Sequence, residues 1–125
     1  MDFLGLRNLS VIKEAVSNIH FSSEGQVEIT LDNIPWEDSK ALELLQQGHS
    51  MGIFQLESAP MQNLLKQLKP SNFEDVIAII ALYRPGPMDN IDTFINRKHG
   101  KEKIEYPHEW LEPILSNTYG IMVYQ

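Results

Sequence analysis

The sequence predicts a mainly α-helical fold with one or two short strands. Apolar residues recur at steps of three and four through most of the chain, helix-starting Ser, Asp, Asn and Pro precede those stretches, and Gly or Pro closes them. Only brief runs alternate as strands do. With 125 residues, 42% hydrophobic and 22% charged, the chain suits one globular domain that can bury roughly two thirds of its unfolded surface.

Leu9, Ile12, Ala15, Val16 and Ile19 predict an amphipathic helix over about 8–20, with Asn8 or Ser10 as its cap. Val27, Ile29 and Leu31 then alternate with Glu28, Thr30 and Asp32, as in a short edge strand or an extended crossing. After Pro35, the acids Glu37 and Asp38 suit a first helical turn, and Ala41, Leu42, Leu44 and Leu45 carry that helix to a stop at Gly48. Met51 to Leu56 is apolar and extended in character. Pro60 opens a helix bearing Met61, Leu64, Leu65 and Leu68, which Lys69-Pro70 ends.

Ser71-Asn72-Phe73-Glu74 fits a capping box, with Ser71 and Glu74 as its partners. It opens the run Val76 to Leu82, apolar all round and therefore expected to be the buried central helix, although a strand of this composition is possible. Arg84-Pro85-Gly86-Pro87 must break it, because each proline fixes φ and removes a donor. Ile91, Phe94 and Ile95 predict a helix over about 90–98, capped by Asp89 or Asn90 and stopped at His99-Gly100. Pro107 precedes a helix carrying Trp110, Leu111, Ile114 and Leu115, and Gly120 to Tyr124 has the character of a strand. Trp110, Tyr119 and Tyr124 are expected in the core.

Ten basic and seventeen acidic residues give a net charge of −7, which argues against a stand-alone domain that wraps nucleic acid, since counterion release needs excess Lys and Arg. The imbalance is local: residues 1–62 hold 3 basic and 9 acidic side chains, and residues 63–125 hold 7 and 8. A polyanion would approach the second half. There Arg97, Lys98, Lys101 and Lys103 surround Glu102, and on these residues alone the plainer role is to complement a helix C-terminus, at ~0.3–1 kcal/mol each.

The absence of cysteine excludes disulfides and thiolate metal sites, and His20, His49, His99 and His108 have no zinc-ligand spacing. No glycine-rich phosphate loop, nucleophile elbow or acid pair flanking a histidine is present. The opening residues are too short for a signal peptide and no apolar run approaches the ~20 residues a bilayer needs, so a cytoplasmic location with no membrane partner is expected. The chain opens on an apolar run and stops at Val123-Tyr124-Gln125. Both ends are expected to be cuts through a longer chain.

Six stretches share one resemblance. Met1-Asp2-Phe3-Leu4-Gly5-Leu6-Arg7, Gly52-Ile53-Phe54-Gln55-Leu56-Glu57-Ser58, Leu68-Lys69-Pro70 with Phe73-Glu74-Asp75, Ala81-Leu82-Tyr83-Arg84-Pro85-Gly86-Pro87-Met88, Arg97-Lys98-His99-Gly100 and Thr118-Tyr119-Gly120-Ile121-Met122-Val123-Tyr124-Gln125 resemble, in order and spacing, consecutive motifs of the bacterial DNA polymerase III alpha subunit, the C-family replicative polymerase. The resemblance implies a helical fingers-type segment cut from a larger α+β polymerase, with residues 1–7 ending the palm and 8–125 forming the N-terminal part of the fingers.

It further implies that Asp2 is the third carboxylate, both catalytic and metal-binding, of a two-Mg2+ nucleotidyl-transfer site whose other two carboxylates lie outside this sequence. Arg84, stiffened by Pro-Gly-Pro, is the implied contact to nucleotide or DNA, with pairing to Asp89 as the structural alternative. Arg97 and Lys98 are implied to contact DNA as well. Primer–template DNA, deoxynucleoside triphosphates and other replisome subunits are the implied partners. The chain alone is expected to be inactive. A helical protein-interaction module and a non-catalytic DNA-binding domain are the rival expectations.

Overall fold

The computed structural model describes residues 7–124, and the chain divides into two compact units, residues 1–36 and 37–125. Asp2 lies outside the described residues. In the first unit, helix α1 spans Arg7–Ser22, so Asn8 and Ser10 lie within it and not at its cap. It ends where Glu24 and Gly25 turn to positive φ and the Gly25 N–H donates to the His20 carbonyl at 3.0 Å. The alternating stretch after it is not a strand. The Ile29 N–H donates to His20 Nε2 at 3.2 Å, the Thr30 N–H donates to Asn33 Oδ1 at 2.8 Å, and Asn33 Nδ2 donates to the Glu28 carbonyl at 2.9 Å. Side chains thus occupy the backbone groups a ladder would need.

The second unit is built from short helices. Asp38 caps α2 (Ser39–Gln46) by accepting from the Ala41 N–H at 2.9 Å, so Asp38 stands just before the first turn. Ser58 caps α3 (Ala59–Leu68), with Pro60 in its first turn. Between them, Met51 to Leu56 forms successive turns: Gly52 and Gln55 take positive φ, and the Ile53 and Leu56 N–H groups donate to Ser50 and Ile53. The Ser50 hydroxyl closes this loop by donating to the Leu56 carbonyl.

Helix α4 (Phe73–Leu82) is capped one residue later than the motif implies. Asn72 accepts from the Asp75 N–H at 2.8 Å, while the Ser71 N–H and hydroxyl both donate to the Asp75 carboxylate. The expected central helix is present, with Val76, Ala78, Ile79, Ala81 and Leu82 buried and Ile77 exposed. A 3-10 turn over Pro87–Asn90 leads into α5 (Ile91–Lys98), which has no side-chain cap.

The helix expected after Pro107 is split into a 3-10 turn (Glu109–Leu111), the single turn α6 (Glu112–Leu115) and a further 3-10 turn (Ser116–Thr118). Pro113 cannot donate, so regular helix starts only beside it. Trp110 is 80% exposed, not in the core. Residues 121–124 run without a partner strand, and no strand occurs among the described residues. The expected short strands are therefore absent. The core joins Leu42, Met61, Leu65, Leu68, Ile79, Leu82, Phe94 and Ile95 with Ile121.

Candidate functional site

Arg84 stands where the apolar run of α4 gives out. The Tyr83 N–H still donates to Ile79 at 2.9 Å, the Arg84 N–H turns to Leu82 at 2.8 Å, and the Met88 N–H donates back to the Arg84 carbonyl at 3.1 Å. Gly86, at φ +94, supplies the reversal that lets Pro87 start the next turn. The Arg84 Nε donates to the Ala81 carbonyl at 2.8 Å. That bond anchors the base of an exposed guanidinium, and no carboxylate lies within ion-pairing distance of it among the described residues. The alternative pairing with Asp89 is not formed.

Arg97 and Lys98 are held differently, on the last turn of α5. The Arg97 Nε bonds Glu102 Oε1 at 3.1 Å, and its Nη1 donates to the carbonyls of Tyr119 at 3.0 Å and Glu105 at 3.3 Å. One side chain thereby braces two loops. A Cβ at Gly120 would strike the Glu105 carbonyl oxygen and come within 3.1 Å of that Nη1, and Gly120 sits at φ +79. Only glycine fits there without displacing backbone.

The Lys98 Nζ bonds the Asp75 carboxylate at 2.7 Å and the Ser71 hydroxyl at 2.8 Å, with its side chain 8% exposed and that of Asp75 2% exposed. The Tyr119 hydroxyl donates to the other Asp75 oxygen at 3.3 Å, and its ring meets Phe94 edge-on at 5.1 Å. Burial pushes the Asp75 carboxyl up, but the Lys98 ammonium and the Ser71 donors outweigh it and hold the group below the ordinary carboxylate value. Burial first, then the Asp75 charge, pushes the Tyr119 phenol up to about 12.

Because its ordinary value is 10.0, the folded state favours neutral Tyr119; its contribution to stability is complete below that value and is lost as pH rises toward about 12. Urea unfolding of wild type and Tyr119→Phe, compared at about pH 9 and about pH 11.5, is expected to show a smaller alkaline loss in the variant. Equal losses would place the titration elsewhere.

Arg84 is thus open, while Arg97 and Lys98 are committed to internal partners. Sequence reasoning missed Asp75 and Tyr119. Asp75 was hidden by the capping-box pattern, and Tyr119 lies 44 residues further along the chain. The sequence shows only a second acid after Glu74 in the first turn of an otherwise apolar helix, an ordinary placement; the need for a cation comes from the burial of Asp75, which tertiary packing sets.

Residues 8–125 match the family model of the bacterial DNA polymerase III alpha subunit finger domain. The chain is 54% identical over all 125 residues to the DNA polymerase III subunit alpha of Bacillus subtilis (strain 168), and 50% identical over the same length to that of Staphylococcus aureus (strain COL). It spans 11% and 12% of the lengths of these curated relatives.

Proposed function

Because the chain belongs to the bacterial DNA polymerase III alpha subunits, within their finger domain, we propose that it forms the start of the helical fingers of a replicative DNA-directed DNA polymerase, and that Arg84 contacts a phosphate of the nucleotide or the primer–template. The geometry of Arg84 carries this reading. Its Nε is fixed on the Ala81 carbonyl and the rest of its fork is open, an arrangement that pre-orients the guanidinium for phosphate. Arg97 and Lys98, in this reading, hold the scaffold behind that contact.

Asp2 is the chain's contribution to the metal site, one of three carboxylates for two Mg2+ ions that would activate the primer hydroxyl and steady the leaving pyrophosphate. Among the described residues no three His, Asp or Glu side chains are placed to hold a metal ion. With the other two carboxylates outside this sequence in this reading, the chain by itself is expected to be inactive. The polymerase that carries it would work with DNA, deoxynucleoside triphosphates and other replisome subunits.

The test is Arg84→Ala in the longer polymerase. Losing a charge-assisted phosphate bond worth ~1.5–3 kcal/mol should lower kcat/KM for the incoming nucleotide by about 10- to 100-fold, with an unchanged melting temperature because the prolines still set the turn. A lower melting temperature with unchanged extension kinetics would reduce Arg84 to a turn residue.

A further inference from the structure

A second group of cations, away from Arg84, lines an open groove of about 580 Å3 between the C-terminal halves of α3 and α5. Lys66 and Lys69 enter it from the α3 side, Lys101 from the turn after α5, and Asp92 is the single acid on its walls. Arg97 and Lys98 of the same helix end are neutralised by carboxylates, whereas the ammonium groups of these three lysines have no carboxylate partner among the described residues. The His99 ring nitrogen Nε2 lies 2.9 Å from the Gln67 carbonyl and ties one wall to the other.

Lys66 is held by a side-chain contact and Lys69 by its backbone. The Lys66 stem lies over Gly48, where an added Cβ would come within 2.6 Å of Lys66 Cε. Lys69 occupies the left-handed region at φ +49 directly before Pro70, a conformation that glycine or asparagine adopts at less cost.

We propose that this groove binds the phosphodiester backbone of a nucleic-acid strand through Lys66, Lys69 and Lys101. Three point charges on an open groove suit successive phosphates read without regard to sequence. The lysines do not converge on a nest of backbone N–H groups, as a site for one small anion would require. The choice of a nucleic-acid strand over another polyanion rests on the family reading above; the groove's uncompensated charge does not.

The experiment is titration of the isotopically labelled 125-residue chain, followed by its amide resonances, with a 12-nucleotide single strand, the matching duplex, a polyglutamate peptide and inorganic phosphate. Shifts should centre on residues 66–69 and 95–101, and log affinity for the single strand should fall against log salt with a slope of about 2, from three contacts at ~0.7 each. Lys66→Gln/Lys69→Gln/Lys101→Gln should abolish most of that slope and weaken binding at least tenfold at low salt, while Lys40→Gln leaves both unchanged. Lys66→Gln/Lys101→Gln, which spares the Lys69 turn, should remove about two thirds of the slope, so misfolding of the triple variant cannot decide the matter. Unchanged DNA affinity in the double variant, shifts centred elsewhere, equal affinity for polyglutamate, or saturation by inorganic phosphate alone at the same amides would each overturn the proposal. A failure confined to this groove leaves the Arg84 contact standing, since that is read from nucleotide kinetics in the longer polymerase.

Discussion

Lys98→Ala is expected to lower the unfolding free energy of the 37–125 unit by about 3–5 kcal/mol, the range found when one partner of a buried ion pair is removed. The reason lies in what the variant leaves behind. Asp75 would keep its place in the first turn of α4, 2% exposed, with the Ser71 and Tyr119 donors but no counter-charge. Small domains hold only about 5–15 kcal/mol in all, so the variant should melt far below the wild type. The paired control is Lys98→Ala/Asp75→Asn, which removes the orphaned charge and should recover part of the loss. The pH dependence should also change. In the wild type the lowered Asp75 value gives stability that is present above the ordinary carboxylate value of 3.8 and lost as pH falls through the folded one; without Lys98 that acid-side loss should shrink. A cost under about 1 kcal/mol would mean the pair is solvated like an ordinary surface bridge.

Asp2→Asn in the longer polymerase is expected to reduce primer extension on the order of 1000-fold, equivalent to ~4 kcal/mol of barrier at ~1.4 kcal/mol per factor of ten. The substitution preserves shape and removes one negative charge, so the loss should fall on the maximal rate and not on thermal stability. Near-normal extension by the variant would remove Asp2 from the catalytic set.

Helix positions were legible because apolar spacing and caps are local: α3, α4 and α5 fall where Met61 to Leu68, Val76 to Leu82 and Ile91 to Ile95 place them. Strands were not, because a strand is a relation between two segments. Val27 to Leu31 alternates correctly, yet its backbone partners turned out to be His20 and Asn33. The same limit applies to the charged residues. The stiffening of Arg84 was legible, since the prolines that hold its turn are its neighbours in sequence, but its residues alone favoured pairing with an acid such as Asp89, which is not formed. Arg97 and Lys98 were not legible, because the groups that hold them include the Tyr119 carbonyl 22 positions from Arg97 and the Asp75 carboxylate 23 positions from Lys98. Lys69 was read only as part of the Lys69-Pro70 helix stop for the corresponding reason, since Lys101, which lines the same groove, lies beyond α5.

The brace at Arg97 also bears on where this chain could be lengthened. The stretch 101–107 is charged, mostly exposed and free of regular structure, the profile usually chosen for inserting a tag, a label or a protease site. Yet the Glu105 carbonyl accepts from Arg97 and is faced by a glycine that leaves no room for even one carbon. An added residue would carry that carbonyl out of register and leave Arg97 holding the Tyr119 loop alone. The tolerance of this loop is thus in composition and not in length: its exposed side chains can drift, while the number of residues between Lys98 and Pro107 is set from across the fold.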